Sequence, residues 1–246
     1  CSSDLLKATV QTGDTAFDAI LPHPVLAQAY VLGGYFMNVY DVPYIDLSKP
    51  WWNQQAVDEL TIGDKLYYLF SDITNMDENA TAAMIFNKKM LSDYGLEDPY
   101  QLVRDGKWTF DKLMSMMKGV AQDINNDGKM DTTDRFGMVA QVDSMWSFYH
   151  ASGERFINKD DKGYPVIAFG SDRNYSVTEK IFELMFDKTQ VLNAHHLQTN
   201  IYNQVQAMFA DNRVLFMWIR MNVVGELRSM EGDFGILPVP RSEEHT

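Results

Sequence analysis

The sequence of 246 residues is 46% hydrophobic, enough to fill one large core or two smaller ones, and its formal net charge is -13. That charge would repel a phosphate backbone, which excludes nucleic acid and an anionic membrane surface as the main partner, and no apolar run of about 18 residues offers a membrane span. The single cysteine, Cys1, rules out an intrachain disulfide and a thiolate metal cluster.

Residues 4–12 have the spacing of an amphipathic helix, broken at Gly13-Asp14, and Phe17–Leu21 reads as an apolar strand. Pro22 and Pro24 end that strand and open a helix with Val25, Leu26, Ala29 and Leu32 on one face, stopped by Gly33-Gly34. Gly63-Asp64 between Leu60–Ile62 and Lys65–Phe70 has the form of a two-residue hairpin turn. Met84–Phe86 reads as a short strand, and Asn87 caps a brief helix closed by Gly95. Thr109 opens a longer helix carrying Phe110, Leu113, Met114, Met117 and Val120, which leads through a loop to the strand Phe136–Ala140. After a polar turn at 159–163, Ser176 and Glu179 form a capping box for a helix with Val177, Ile181, Leu184 and Met185 inward. A helix at 202–210 precedes the apolar strand 214–219; a further helix with Val223, Val224 and Leu227 precedes the strand 234–237. Strands alternating with helices predict an α/β architecture with mostly parallel sheets.

The loop after the Thr109 helix, DINNDGKMDTTD, is the most specific local pattern. Asp123, Asn125, Asp127, Asp131 and Asp134 fall at positions 1, 3, 5, 9 and 12 of the calcium-loop template, with Gly128 at position 6 and Lys129 offering its carbonyl. A hard dication takes six or seven oxygens, which such a register supplies, so Ca2+ is the cofactor expected here. Asp134 is shorter than the usual bidentate Glu, which predicts weaker affinity, and a strand after the loop argues against a calmodulin-like sensor. The competing reading is an Asx-rich turn that binds nothing.

The FDAIL segment at 17–21, DLSKPWWN at 46–53, IGDKLYYLFSDI at 62–73, AMIFNKKMLSDYGLEDP at 83–99 and GKWTFDKL at 106–113 are followed in order by DINNDGKMDTTDRFGM at 123–138, AMFADNRVLFMWI at 207–219 and GDFGILPVP at 232–240. Their order and spacing resemble the bacterial extracellular solute-binding proteins of ABC importers, in the carbohydrate-binding branch related to the maltodextrin-binding proteins. The resemblance implies a periplasmic-binding-protein-like α/β fold of two lobes joined by crossing hinge strands, with solute held between them and closure by hinge bending. Residues 1–84 and 220–240 would form lobe one, incomplete here, and 85–219 lobe two. It implies an extracytoplasmic protein, lipid-anchored at full length and monomeric, whose partners are a neutral carbohydrate, expected to be an oligosaccharide, and the membrane permease. Cys1-Ser2-Ser3 resembles the start of a processed lipoprotein, but family members carry a strand and helix before the segment matching Phe17, so Cys1 reads as a fragment start. Residues 241–246 look like translated adapter sequence and are expected to be a non-native tail.

Sugars are held by aromatic faces and by charged or amide groups. By family placement Trp146 and Asp143, after the strand 136–140, and Trp218 and Arg220, at the end of the strand 214–219, are candidate ligand-binding residues, with His23, Asn79 and Thr81 similarly placed. For Trp146, Asp143, Trp218 and Arg220, core packing or contact between lobes is the alternative, and a buried Arg220 would need a carboxylate or ligand partner. Trp51 and Trp52 read as loop packing, and Trp108 as a hydrophobic staple. Adjacent His195 and His196 have no further metal ligands in register. No nucleophile elbow, H-E-x-x-H or phosphate loop is present, so a non-enzymatic receptor is expected; a glycosidase using two of the 34 acidic residues is the alternative.

Overall fold

The computed structural model describes residues 2–15, 18–21, 24–197 and 201–243. The chain clusters into two compact units, Cys1–Asn75 with Asn158–Val166, and Met76–Ile157 with Ile167–Thr246.

In the first unit lie helices α1 (Ser2–Thr12), α2 (Pro24–Leu32) and α3 (Gln54–Leu60). Its buried apolar residues include Leu6, Ala27, Tyr30, Val57 and Leu66. The Gly63-Asp64 turn forms as read, with reciprocal bonds between Ile62 and Lys65, and Gly63 has φ +61°. No ladder extends from it, however: Leu60 ends α3, whose N-cap Asn53 accepts a hydrogen bond from the Ala56 N–H, and 66–70 form no strand. Residues 18–21 are likewise not a strand, and Phe17 and His23 lie outside the described residues.

The second unit is built on a mixed sheet. Its strands are β1 (Ala82–Asn87), β2 (Phe136–Ala140), β5 (Val191–Asn193), β6 (Val214–Arg220) and β7 (Phe234–Leu237), in the order β5-β2-β6-β1-β7. The hairpin of β3 (Ile157–Lys159) and β4 (Pro165–Ile167) is a separate two-stranded ribbon, whose residues Asn158–Val166 group with the first unit. β2 runs parallel to β5 and β6, whereas β1 is antiparallel to both β6 and β7, so the expectation of mostly parallel pairing holds for half of the sheet. Helices α4 (Met76–Ala80), α5 (Lys88–Asp93), α6 (Pro99–Arg104), α7 (Phe110–Met117), α8 (Ser144–Ala151), α9 (Asp172–Phe186) and α10 (Ile201–Ala210) complete the unit. The segment Met221–Ser229 is 3-10 rather than α-helical.

Both faces of the sheet are covered, which is why β1, β2 and β6 read as unbroken apolar runs. On one face Met84, Phe86, Phe216 and Trp218 meet Phe110, Leu113, Ile181 and Leu184; on the other Ile85, Val139, Met217 and Ile219 meet Val205, Phe209 and Leu227. Asn87 caps α5 through the Met90 N–H at 2.9 Å and is wholly buried, its carboxamide also donating to Asn212 Oδ1 at 2.9 Å. Trp108 donates its indole N–H to the Pro238 carbonyl at 2.9 Å, which fixes the chain before α7. The capping box of α9 is Ser171 with Asn174, one turn before the Ser176/Glu179 pair, which lies inside the helix. Contacts group the residues from 220 onward with this unit, in which β7 pairs along β1. Of the segment read as a non-native tail, Arg241 and Glu243 bond to the start of α7, Arg241 accepting from the Phe110 N–H at 3.0 Å.

Candidate functional site

In parallel-containing sheets the carboxyl ends of strands are where loops and helix termini converge around a ligand. The register Val139↔Met217 brings the end of β2 level with the end of β6, and Ala82↔Arg220 brings the start of β1 to the same edge. Most of the candidates meet there. Arg220 is exposed rather than buried, and it donates to Asp143 Oδ2, another of the predicted residues, at 3.3 Å. Asp143 precedes α8 and makes no side-chain cap, which leaves its carboxylate for Arg220. Thr81 accepts from the Met221 N–H at 3.0 Å through its carbonyl, and Asn79 lies just before it in α4.

Beside this edge, a cleft of about 420 Å³ opens between β6, α10 and the 3-10 segment after β6. Val205, Met217, Ile219 and Val223 give it apolar area. Gln141, Asn203, Gln206 and Asn222 give it four carboxamides, each both donor and acceptor. Its charged lining residues are Arg220 and Glu226. The sequence reading missed the amides and Glu226. Gln141 directly after β2 and Asn222 two residues after Arg220 carried the usable signal, but the contribution of α10 depends on how that helix packs.

Trp146 is 57% exposed on α8 and meets Phe156 edge-on, with centroids 4.9 Å apart. Phe156 stacks between Tyr149 at 3.9 Å and Phe169 at 5.8 Å, and Tyr175 meets Phe169 edge-on. This is a ring cluster with open faces at Trp146, Phe169 and Tyr175. The Tyr149 hydroxyl is buried with no hydrogen-bond partner; burial, then the nearby Glu154 charge, pushes its pKa up. Trp218, by contrast, is only 7% exposed and packs in the core with Met84, its indole N–H buried and unpartnered.

The loop 123–134 is closed at its base by reciprocal backbone bonds between Gln122 and Arg135. Its carboxylates turn toward the loop's own main chain. Asp123 accepts from the Asn126 and Gly128 N–H groups, Asp127 from Lys129, and Asp131 from Thr133. Buried Asp134 accepts from Ile124 and Asp131, and Asn126 and Gly128 adopt positive φ, +59° and +79°. The bonds from Thr133 hold the Asp131 carboxyl below the usual carboxylate range. The donor chemistry suits a hard cation, but among the described residues no three His, Cys, Asp or Glu side chains converge as metal ligands.

No protein-family model and no curated protein sequence matches the chain. Solved structures do match its fold. UspC of M. tuberculosis aligns over 98% of this chain and 58% of its own, with a TM-score of 0.61 at 16% identity. The GacH receptor of Streptomyces glaucescens, solved unliganded and with acarbose, aligns over 98% and 56%, with a TM-score of 0.62 at 15% identity. The Thermus thermophilus maltotriose binding protein, bound with maltotriose, aligns over 98% and 64%, at 0.53 and 18%. The chain therefore spans a little over half the length of the first two, and it shares their α/β fold.

Proposed function

We propose that this chain is the extracytoplasmic substrate-binding component of an ABC importer and that it captures a carbohydrate, an oligosaccharide in particular, for a membrane permease. One observation carries the reading: the Asp143–Arg220 pair ties the end of β6 to the start of α8, with an amide-lined cleft beside β6 and the aromatic cluster around Trp146 on α8. Ring faces stack on the apolar side of pyranoses, and amides and a fixed ion pair bond hydroxyls, without any group having to react. The fold likeness to receptors solved with acarbose and maltotriose supports the same solute class. A lipid-anchored monomer at the outer face of the membrane belongs to this reading; among the described residues no helix is long and apolar enough to cross a membrane. Calcium in the loop 123–134 is a separate proposal that rests on donor register alone.

A thermal-shift screen over mono- and oligosaccharides, amino acids and peptides tests the function. Stabilisation by oligosaccharides, which are returned unhydrolysed, is the expected result. Stabilisation by peptides alone overturns the carbohydrate reading, and release of shorter sugars favours the hydrolase alternative.

A further inference from the structure

Charge in the cleft beside β6 is unbalanced. Arg220 is already engaged by Asp143 at 3.3 Å, so its positive charge is compensated within the protein. The side-chain carboxylate of Glu226, the other charged lining residue, has no hydrogen bond or ion pair with any described residue. Around it the cleft offers the neutral carboxamides of Gln206 and Asn222 and the apolar side chains of Val205 and Val223. These can satisfy hydroxyls and cover ring faces, but they cannot neutralise a carboxylate. A concave, partly apolar wall strengthens the field of such a charge relative to open water, and the net charge of -13 adds to it.

We propose that Glu226 is a specificity residue that selects a saccharide bearing a cationic amine, taking its ammonium as a charge-assisted hydrogen-bond donor. The inference rests on the cleft being the solute site. The same carboxylate acts against uronates, since an anionic sugar would meet it with like charge while Arg220, the cation among the lining residues, is already paired with Asp143. The predicted order of preference is amino sugar, then neutral sugar, then uronate, at equal chain length.

Titration calorimetry of the protein with a glucosamine trisaccharide, maltotriose and a galacturonic acid trisaccharide tests this, in the wild type and in Glu226→Gln. Glu226 is exposed, so the variant folds by the same contacts. The wild type is expected to favour the amine over maltotriose by about fivefold at low ionic strength, less at high salt, as suits one ion pair reachable by solvent. In Glu226→Gln the amine-to-neutral ratio should fall to about one, whatever the neutral affinity becomes. Equal affinities in the wild type, or a preference that survives the substitution, overturns the role of Glu226 while leaving sugar capture standing. Binding of none of the three, with peptide binding instead, overturns the carbohydrate reading and this inference together.

Discussion

Arg220 and Asp143 sit 3.3 Å apart with side chains 49% and 61% exposed, a geometry in which solvent screens most of the attraction. Replacing Arg220 with Met should therefore change stability by less than about 1 kcal/mol in urea denaturation, yet lower saccharide affinity by at least about tenfold in calorimetry. A loss of fold with no specific effect on affinity would assign the pair to structure instead. Trp146 supports a matching test. It leans on Phe156 with one face open, so Trp146→Ala should cost about 1 kcal/mol of stability and a larger share of binding. The residue types that bind sugars were visible in the sequence, but that Arg220 and Asp143 are partners required β6 to meet the start of α8 across 77 positions.

At the scale of elements, capping and close approach control whether pieces form and dock. Asn87 ends β1, caps α5 and bonds Asn212, all while buried, so Asn87→Ala should destabilise the protein by about 2–4 kcal/mol, measured by denaturant midpoint. Gly235 in β7 is as constrained by space: a Cβ there would stand 2.1 Å from Phe86 Cε1 and 2.5 Å from Tyr100 Oη. Gly235→Ala should thus loosen β7 from β1, read as faster amide exchange along 234–237. Sequence periodicity found α7, β1, β2 and β6 because each obeys one dominant rule, a cap or a run buried on both faces. It missed α3, α6, α8 and the β3–β4 hairpin, which are short and owe their form to neighbours or to single caps.

For the whole molecule, the loop 123–134 shows how a local motif and its setting can diverge. Its side chains bond one another and the loop's own main chain. If calcium also binds, chelation should lower the melting temperature by the binding free energy while solute affinity stays nearly constant, since the loop lies at the start of β2 and the cleft at its end. An unchanged melting temperature sinks the calcium proposal. The acid limb carries a second signature. Asp131 is held below its ordinary value of 3.8 by Thr133, so its contribution is present above that value and lost as pH falls through the lowered one. Asp131→Asn should flatten the pH dependence of stability in that acid range.

Composition, order of motifs and apolar runs by themselves determined the α/β class and the resemblance to solute-binding proteins, because those depend on chain-local patterns of burial and turn chemistry. That resemblance in turn named Arg220, Asp143 and Trp146 as candidates for the proposed solute site. Only the tertiary structure decided that half of the sheet is antiparallel, that Trp218 is core while Trp146 is open, and that Glu226 lines a cleft whose other charged residue, Arg220, is paired with Asp143. Those facts turn on strand register and on the seating of α10 against β6. Both are set by contacts between residues far apart in the chain, which no local period encodes.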